Sequence, residues 1–298
     1  MNRKSSKTLA VAATLICHVI WGFSFMFSRL ALNKVPVFTL LSHRFILAFL
    51  AMNVFLLFQR KSLDFKKNYA PLLLLGLMQP VIYFIGEQYG ILHSSTVFSG
   101  VMIAMIPIVA TLAAALFLKE KPTGGQLFFS LLSVGGVIGI GLMTGSSGSL
   151  DLIGLAGLLV AVASAAAYLL LSRSLSDRFT AFERTYVMMG LAAFVFTALA
   201  LADSGGDLKS FASPLTDPAY RMPVLYLALL ASVVSFFLSS YALTYMSIAR
   251  ESVFSNLTTA VSVLAGVIFL KEPFSWLSLL FCLLILAGIW GVQKSSRS

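Results

Sequence analysis

Three polar side chains recur every four residues inside the apolar stretch 70–92, namely Gln79, Tyr83 and Glu87. Residues four apart lie on one face of a helix. A polar group that faces lipid costs several kcal/mol unless it is satisfied, so such a stripe normally faces the interior of a helix bundle. We therefore predict that these side chains line a polar cavity that could bind a small solute.

Other polar, aromatic and methionine side chains inside apolar stretches extend this candidate cavity. They are His18, Trp21, Met102, Ser235, Ser239, Tyr241, Asn256 and Thr259. A Ser or Thr hydroxyl can instead bond to a backbone carbonyl of its own helix, which would leave it only a structural role. Trp21 could stack on a planar ligand or fill a core. For His18 we expect a neutral, hydrogen-bonded core residue rather than a coupling group.

A second candidate site combines Glu87 with His43 and Arg44. At ~1.5 Å per helical residue, Glu87 lies roughly 26 Å along a helix that begins near Ala70, and Arg44 lies roughly 10 Å along the preceding helix. If the two helices cross in opposite directions, these groups reach a similar depth. We predict an ion pair between Arg44 and Glu87 that acts as an extracellular gate or a proton-coupling site. A static structural pair is the alternative.

These residues stand in a chain that is 59% hydrophobic and 11% charged over 298 residues. Soluble domains carry about 25% charged residues, so this composition predicts an integral membrane protein. The net charge of +10 does not indicate nucleic-acid binding, because basic residues flank membrane helices and fix their orientation. Both cysteines lie in apolar stretches, which excludes a disulfide framework or a zinc site. We expect no cofactor and no metal.

The apolar stretches predict an all-α membrane protein with ten transmembrane helices, because a span needs about 20 apolar residues. The predicted spans are 9–32, 37–58, 70–92, 95–118, 125–144, 152–174, 182–202, 223–246, 249–270 and 275–293. With the N-terminus in the cytoplasm, fifteen Lys and Arg residues fall on the cytoplasmic side and four on the other side. The excess predicts that both termini are cytoplasmic.

An internal repeat relates the two halves of the chain. A shift of 152 residues aligns 72–140 with 224–292 without a gap, and it pairs FLKE at 117–120 with FLKE at 269–272. Each copy contains five spans, so the second copy enters the membrane upside down, as in many secondary transporters. We predict two inverted five-helix repeats, 1–146 and 147–298. The Lys–Glu pairs are read as helix ends with a local ion pair, and a gating latch is the alternative.

Small residues four apart, Gly135 and Gly139 in one half and Ala287 and Gly291 in the other, predict close contacts of the fifth and tenth spans. We read them as packing inside one chain, hence a monomer, with a homodimer face as the alternative.

Three motifs occur in order along the chain. They are HVIWGFSFMFSRL at 18–30, SHRFILAF at 42–49 and SSTVFSGVMIAMIPIVATLAAALFLKE at 94–120. Together with ten spans and the repeat, they resemble the EamA-type transporters of the drug/metabolite transporter superfamily. Trp21, Arg44 and Pro107 match residues of that pattern, and we assign Pro107 as a hinge in the fourth span. Departures at 86–90 and at Thr258-Thr259 prevent a transfer of the substrate.

The resemblance implies a multi-pass carrier of the plasma (inner) membrane that moves amino acids or related amphipathic solutes, often as an exporter. Its partners would be a small-molecule substrate and the lipid bilayer, without nucleic acid. The sequence has no phosphate loop, HExxH pair or nucleophilic triad, so we do not expect an enzyme. A membrane-embedded enzyme or a sensor without transport activity remains the alternative function.

Overall fold

The computed structural model describes residues 3–58, 68–93, 102–103, 105–143, 152–269 and 276–295. Within these ranges the chain is helical, apart from short turns and loops, and no β-strand occurs. The prediction of an all-α membrane protein is therefore confirmed at the level of the fold class.

Fourteen α-helices are defined in the described part of the chain. They are α1 (Arg3–Leu32), α2 (Val37–Phe58), α3 (Ala70–Gly76), α4 (Tyr83–His93), α5 (Ile106–Phe117), α6 (Gly124–Met143), α7 (Leu152–Ser174), α8 (Ala181–Asp203), α9 (Leu208–Ala212), α10 (Pro218–Leu225), α11 (Ser235–Tyr245), α12 (Ile248–Ser252), α13 (Ser255–Phe269) and α14 (Trp276–Ser295).

Six continuous helical stretches in these ranges are long and apolar enough to cross a membrane. They are Thr8–Leu32, Val37–Leu57, Ala70–Glu87, Leu152–Ser174, Ala181–Asp203 and Pro218–Tyr245. Two shorter apolar helices cover Ile106–Phe117 and Leu279–Val292. All ten predicted spans contain helical residues, whereas the number that cross the bilayer remains a prediction.

The surface and the interior have the opposite polarity to those of a soluble protein. Large apolar side chains such as Leu57, Leu116 and Phe194 are more than 70% exposed. Charged side chains such as Arg44 and Arg184 are buried at the same time. Lipid can cover the apolar surface, and hydrogen-bond partners inside the bundle can satisfy the polar groups.

The predicted stripe on the third span is interrupted. A π-helical segment, Leu77–Ile82, separates α3 from α4, and Gln79 has an extended backbone with φ −144° and ψ 124°. The cause is Pro80, which has no N–H to donate and disfavours helical geometry in the residue before it. Tyr83 and Glu87 therefore share a face of α4, but Gln79 does not continue that face, contrary to the regular spacing.

Other spans are interrupted as well. A second π-helical segment, Tyr226–Val234, lies between α10 and α11 at positions that the 152-residue shift relates to the first. A turn at Val253 and Phe254 separates α12 from α13. Pro107 occupies the first turn of α5, directly after a turn at Met105. The predicted mid-helix proline thus begins a helix, where its missing N–H costs no hydrogen bond.

Helices α6 and α14 form an intimate antiparallel contact through glycines. A methyl group at Gly136 would lie 2.8 Å from Ile285 Cγ1, and one at Gly288 would lie 2.6 Å from Ser133 Cβ. Gly135 has open space around it instead. The predicted contact between these helices exists, but it uses Gly136 where the spacing pointed to Gly135.

The FLKE segment at 117–120 ends α5 by a left-handed residue, since Lys119 has a φ of 56°. Its Glu120 does not pair with Lys119. The carboxylate accepts hydrogen bonds from Arg173 Nε at 3.0 Å and from Ile248 N at 3.0 Å. The expected local ion pair is therefore wrong, because the Arg173 side chain on α7 reaches Glu120 instead. The second FLKE segment lies mostly outside the described residues.

Candidate functional site

A buried polar cluster surrounds the side chain of Glu251 on the short helix α12. The Glu251 side chain is 2% exposed, and its Oε1 accepts a hydrogen bond from Ser239 Oγ at 3.0 Å. Tyr168 on α7 donates to Ser239 Oγ at 3.5 Å. Four elements of the chain, including α1 through His18, thus meet at one carboxylate.

His18 is held in this cluster by Thr258 and by aromatic rings. Its Nδ1 lies 3.1 Å from Thr258 Oγ1, and its Nε2 lies 3.9 Å from Glu251 Oε1. The ring of Trp21 meets it edge-on with centroids 5.1 Å apart, and Phe254 is stacked at 6.4 Å. The Trp21 indole also donates to Ala231 O at 2.8 Å. An amphipathic solute could contact rings and hydroxyls here without unfolding the bundle.

Arg184 forms a buried cross-link among α7, α8 and α11. Its guanidinium donates to both oxygens of Ser172, to Ser240 O at 2.6 Å and to Thr244 Oγ1 at 2.7 Å. The fork geometry of arginine allows one side chain to hold several carbonyl and hydroxyl acceptors at once. These hydrogen bonds therefore hold the part of α11 that follows Ser239 against α7 and α8.

A second arginine closes the same end of the bundle. Arg173 donates to Glu120 Oε1 and also to Leu243 O at 3.1 Å and Thr244 O at 3.0 Å. Because Glu120 also accepts from Ile248 N, these contacts join α5, α7, α11 and α12. We call Arg173, Glu120 and the Ile248 N–H the inner latch, and we call the end of the bundle that holds them the inner end, which is the predicted cytoplasmic side.

A cavity of about 270 Å³ lies beside the inner latch, between Glu120, Gln126 and Ser247. It is a vestibule at the inner end and does not include the predicted cavity residues. A chamber halfway through the bilayer therefore remains a prediction.

Arg44 and Glu87 belong to the opposite, outer end. Arg44 Nε donates to Ser232 Oγ at 2.7 Å, and its guanidinium lies 4.8 Å from the centroid of Phe84. Glu87 Oε1 accepts from Tyr83 OH at 2.9 Å. Among the described residues no ion pair joins Arg44 to Glu87, so the predicted direct pair is not formed. A hydroxyl partner for each charge replaces it.

His43 faces away from Glu87, toward the outer loop. Its Nδ1 lies 2.8 Å from Tyr220 OH, and its ring meets Phe211 edge-on at 4.6 Å. His43 and Arg44 are neighbours in the sequence and therefore point about 100° apart around α2. The predicted group of three residues is thus divided between two places at the outer end.

The remaining predicted cavity residues are not all brought together. Ser235 and Ser239 lie on α11 near His18, because Cys17 donates to Ser235 O at 3.3 Å. Asn256 donates instead to Ser133 Oγ on α6 at 3.0 Å, and the ring of Tyr241 contacts Tyr245. The backbone carbonyl of Thr259 accepts from Ser262 Oγ, a hydrogen bond that does not involve the Thr259 hydroxyl. Met102 is half-buried before α5.

Three residues of the inner end are absent from the sequence-based candidates: Tyr168, Arg184 and Glu251. Arg184 is one of the fifteen basic residues on the predicted cytoplasmic side, yet it is fully buried. Glu251 lies at the start of the predicted span 249–270, and it is buried as well. The available signal was the acid's position, three residues into an apolar segment without a clear turn. No group of three potential metal ligands occurs in the described ranges.

The chain matches a known protein family over nearly its whole length. Residues 8–142 and 152–293 each match the EamA-like transporter family. The chain belongs to this family. The resemblance found in the three sequence motifs is thereby confirmed, and the two matches divide the chain into similar halves.

Individual relatives agree with this assignment to the EamA-like family. The uncharacterized transporter YcxC of Bacillus subtilis (strain 168) is 34% identical, over 97% of this chain and 94% of its own length. The uncharacterized transporter YetK of the same organism is 25% identical, over 95% and 84%. A crystal structure that shares 17% identity covers 99% of both chains with a TM-score of 0.80. At that identity the likeness concerns the fold alone.

Proposed function

We propose that this EamA-family member is a secondary transporter that moves a small metabolite across the plasma membrane by alternating access. The solute would be an amino acid or a related amphipathic compound, and the direction would be export. The proposal includes ten spans in two inverted repeats, 1–146 and 147–298, with both termini in the cytoplasm.

The contact between α6 and α14 is the observation that carries this proposal. Gly139 leaves space for the ring of Phe281, and Gly291 leaves space for the ring of Phe129. A shift of 152 residues converts one contact into the other, since it relates Phe129 to Phe281 and Gly139 to Gly291. An antiparallel contact that is exchanged in this way has a two-fold axis perpendicular to the helices. In a membrane protein that axis lies in the bilayer plane, as in inverted-repeat transporters.

The interrupted third and eighth spans support the same proposal. Ser164 Oγ on α7 donates to Met78 O in the third span, and Trp21 Nε1 on α1 donates to Ala231 O in the eighth. The first span of each half thus binds the interrupted span of the other half. Carriers of this type build their sites from interrupted helices at such interfaces.

Within this proposal, the solute site lies among His18, Trp21, Ser235 and Ser239, near Tyr168. Arg44, Tyr83 and Glu87 form the outer gate, with His43 beside it. Pro107 is the hinge at which α5 pivots when the inner latch opens. The inner latch is closed, so the solute would next enter or leave at the outer end.

The test is transport by purified protein in liposomes, with a panel of labelled amino acids and related amphipathic solutes, with and without a pH gradient. We expect saturable uptake of at least one compound, which unlabelled compound competes away and which protein-free liposomes lack. Trp21→Ala should reduce it at least tenfold, since aromatic contacts and a hydrogen bond together contribute about 1.5–3 kcal/mol.

Trp290→Ala is the matched control, because Trp290 is 64% exposed on the lipid-facing surface. It should transport like the wild type. Absence of uptake for the whole panel, by protein that elutes as a folded species, would contradict the proposal.

A further inference from the structure

Glu251 is a buried carboxylate whose charge is barely compensated. It accepts one hydrogen bond, from the neutral hydroxyl of Ser239. No lysine or arginine in the described ranges forms an ion pair with it, and its titratable partner within 4.0 Å is His18. An ionised carboxylate in such surroundings is costly, so a cation that joins it gains considerable free energy.

The hydrogen bonds of His18 define which of its nitrogens faces Glu251. Thr258 Oγ1 lies 3.3 Å from the carbonyl oxygen of His18, and that oxygen can only accept. Nδ1 of His18 lies 3.1 Å from the same Thr258 hydroxyl, and the direction of that hydrogen bond depends on the imidazole tautomer. The other ring nitrogen, Nε2, faces Glu251 and has no hydrogen-bond partner in the described part of the chain.

Nε2 of His18 and Oε1 of Glu251 therefore face each other, 3.9 Å apart. A proton bound between them would join the two side chains in a charge-assisted or neutral hydrogen bond. An ammonium nitrogen or a metal ion in line between them would need roughly 5 Å, since each contact takes about 2.3–2.8 Å. The side chains are 5% and 2% exposed, which also favours a bare proton over a hydrated ion.

We propose that the His18–Glu251 pair is the proton-binding site that couples transport to the proton gradient. This inference rests on the proposed function and names its driving ion. A proton from water on the open side of the membrane binds to Oε1 or Nε2, so that the net charge of the pair changes from −1 to 0. The same proton leaves to water on the other side, and no other bond forms or breaks.

The groups around the pair leave the negative charge of Glu251 uncompensated, so the pair can bind this proton. Cys17 on α1 and Tyr168 on α7 are the other titratable groups with electrostatic contact to Glu251. Helix α11 contributes Ser239, and the cation nearest in the network is Arg184 on α8, which donates to the neighbouring Ser240 O. Arg184 is fixed by its own acceptors and forms no ion pair with Glu251.

Helix α12 connects the proton site to the inner latch. Its first residue, Ile248, donates its N–H to Glu120 Oε2, and Glu251 follows three residues later in the same five-residue helix. Formation of a hydrogen bond would shorten the His18–Glu251 distance from 3.9 Å to about 2.8 Å. That movement would draw α12 toward α1 and disturb the hydrogen bond from the Ile248 N–H to Glu120. Protonation would thereby loosen the latch.

The experiment compares wild type, Glu251→Gln and His18→Asn in liposomes, with the solute panel and an imposed pH gradient. For one proton per solute, a gradient of one pH unit sustains up to about tenfold accumulation. We expect this accumulation in the wild type and none in either variant. Exchange of labelled for unlabelled solute should continue in Glu251→Gln, whose amide oxygen can still accept the hydrogen bond from Ser239. Asp217→Asn is the control, because it changes an exposed carboxylate to an equally good helix cap, and it should accumulate normally.

A measurement without solute makes the two proposals separable. The infrared carbonyl band of a protonated carboxyl group, followed during a pH titration in liposomes, should contain a component that Glu251→Gln removes and Asp217→Asn keeps. If the wild type transports nothing but shows this band, the transport proposal fails and the proton site stands. If Glu251→Gln still accumulates solute against the gradient, or the band is unchanged, the proton site is overturned. Should Glu251→Gln not fold, the infrared titration of His18→Asn decides, since a carboxyl band that titrates as in the wild type would overturn the pair as the proton site.

Discussion

The two ends of the bundle treat their buried charges differently. At the inner end, Arg184 and Arg173 donate to backbone carbonyls and hydroxyls of α7 and α11 as well as to a carboxylate. At the outer end, Arg44 has one hydrogen bond, to Ser232, and contacts to the aromatic rings of Phe45 and Phe84. The inner arginines cross-link several helices, whereas the outer arginine contacts few other parts of the chain.

This difference indicates at which end the helices can separate with a smaller loss of free energy. Separation of α11 from α7 at the inner end would break several charge-assisted hydrogen bonds together, each worth about 1.5–3 kcal/mol when the donor is charged. Movement at the outer end would break one such bond and slide a guanidinium over rings. The described conformation is therefore cross-linked more strongly at the inner end than at the outer end.

Replacement of the two arginines by lysine should give the largest contrast. Lysine keeps the charge but lacks the fork, so Arg184→Lys would lose about two of four hydrogen bonds, or roughly 3 kcal/mol of unfolding free energy. Arg44→Lys loses one hydrogen bond, because the donor to Ser232 is Nε, which lysine lacks, and it weakens the ring contacts, so we expect a loss of about 2 kcal/mol. Thermal unfolding of both purified variants beside the wild type measures the contrast. Equal losses would mean that the ends are equally cross-linked.

The inner end of one half is equivalent to the outer end of the other half only if the two halves are inverted copies. Substitutions at paired glycines test this relation. Gly136→Ala and Gly288→Ala would push a methyl group against the backbone oxygens of Phe281 and Phe129, at 2.8 Å and 2.7 Å. We expect each to cost about 1–3 kcal/mol, with values that agree within about 0.5 kcal/mol.

Gly135→Ala is the matched control for those substitutions, because its methyl group would meet nothing within 4 Å. It should stabilise the protein by up to about 1 kcal/mol through helix propensity. Strongly unequal losses at Gly136 and Gly288, measured by thermal unfolding, would argue against exchangeable halves.

The sequence predicted the all-helical membrane fold, because the length of an apolar stretch is a local property of the chain. It also predicted the family and the association of α6 with α14. The exact glycine differed, since a four-residue interval on one helix does not define which of two adjacent glycines faces the neighbour. Positions 135 and 136 are only about 100° apart around α6.

The site was predicted less completely, because its contacts depend on where helices break. Pro80 could have warned that Gln79 would leave the stripe. Glu251 was marked only by its position near the start of an apolar segment, and Arg184 by no signal. Both are buried where α12 and α8 pack against α11 and α7. Acids and bases near span ends look alike in the sequence whether they face water or a neighbouring helix. The choice between these environments is made by tertiary packing.

Neutralisation of the inner latch should produce a moderate change in conformation. Glu120→Gln keeps an oxygen for the Ile248 N–H but loses the charge that faces Arg173. The pair is partly exposed, with 31% and 22% of the side chains accessible, so we expect the closed state to lose about 1 kcal/mol of free energy relative to the open state. That loss shifts the equilibrium between the two states about fivefold.

The readout for the latch is the labelling rate of Ser252→Cys by a membrane-impermeant maleimide, with Cys17 and Cys282 replaced by serine. Ser252 is 1% exposed and lies on the same helix as the Ile248 N–H of the latch. The labelling rate of a cysteine at this position therefore reports opening of the inner end. Asp217→Asn breaks the surface pair with Lys34 and should leave the rate unchanged. An unaltered rate in Glu120→Gln would show that the latch does not hold the inner end closed.

The smallest effect is expected at the outer end, from Glu87→Gln. The amide oxygen can still accept from Tyr83 OH, which lies 2.9 Å from the carboxylate, and Arg44 keeps its bond to Ser232. The free energy of unfolding should therefore fall by about 1 kcal/mol, which is the difference between a hydrogen bond to a charged acceptor and one to a neutral acceptor. Thermal unfolding measures that loss. In liposomes, uptake should fall less than tenfold and should still respond to a pH gradient, because the proton site lies at Glu251. If Glu87→Gln abolished the response while Glu251→Gln kept it, the roles of the two ends would have to be exchanged. Glu87 and Glu251 are both buried carboxylates that bind a hydroxyl. Arg44 interacts electrostatically with Glu87, whereas the imidazole of His18 lies beside Glu251.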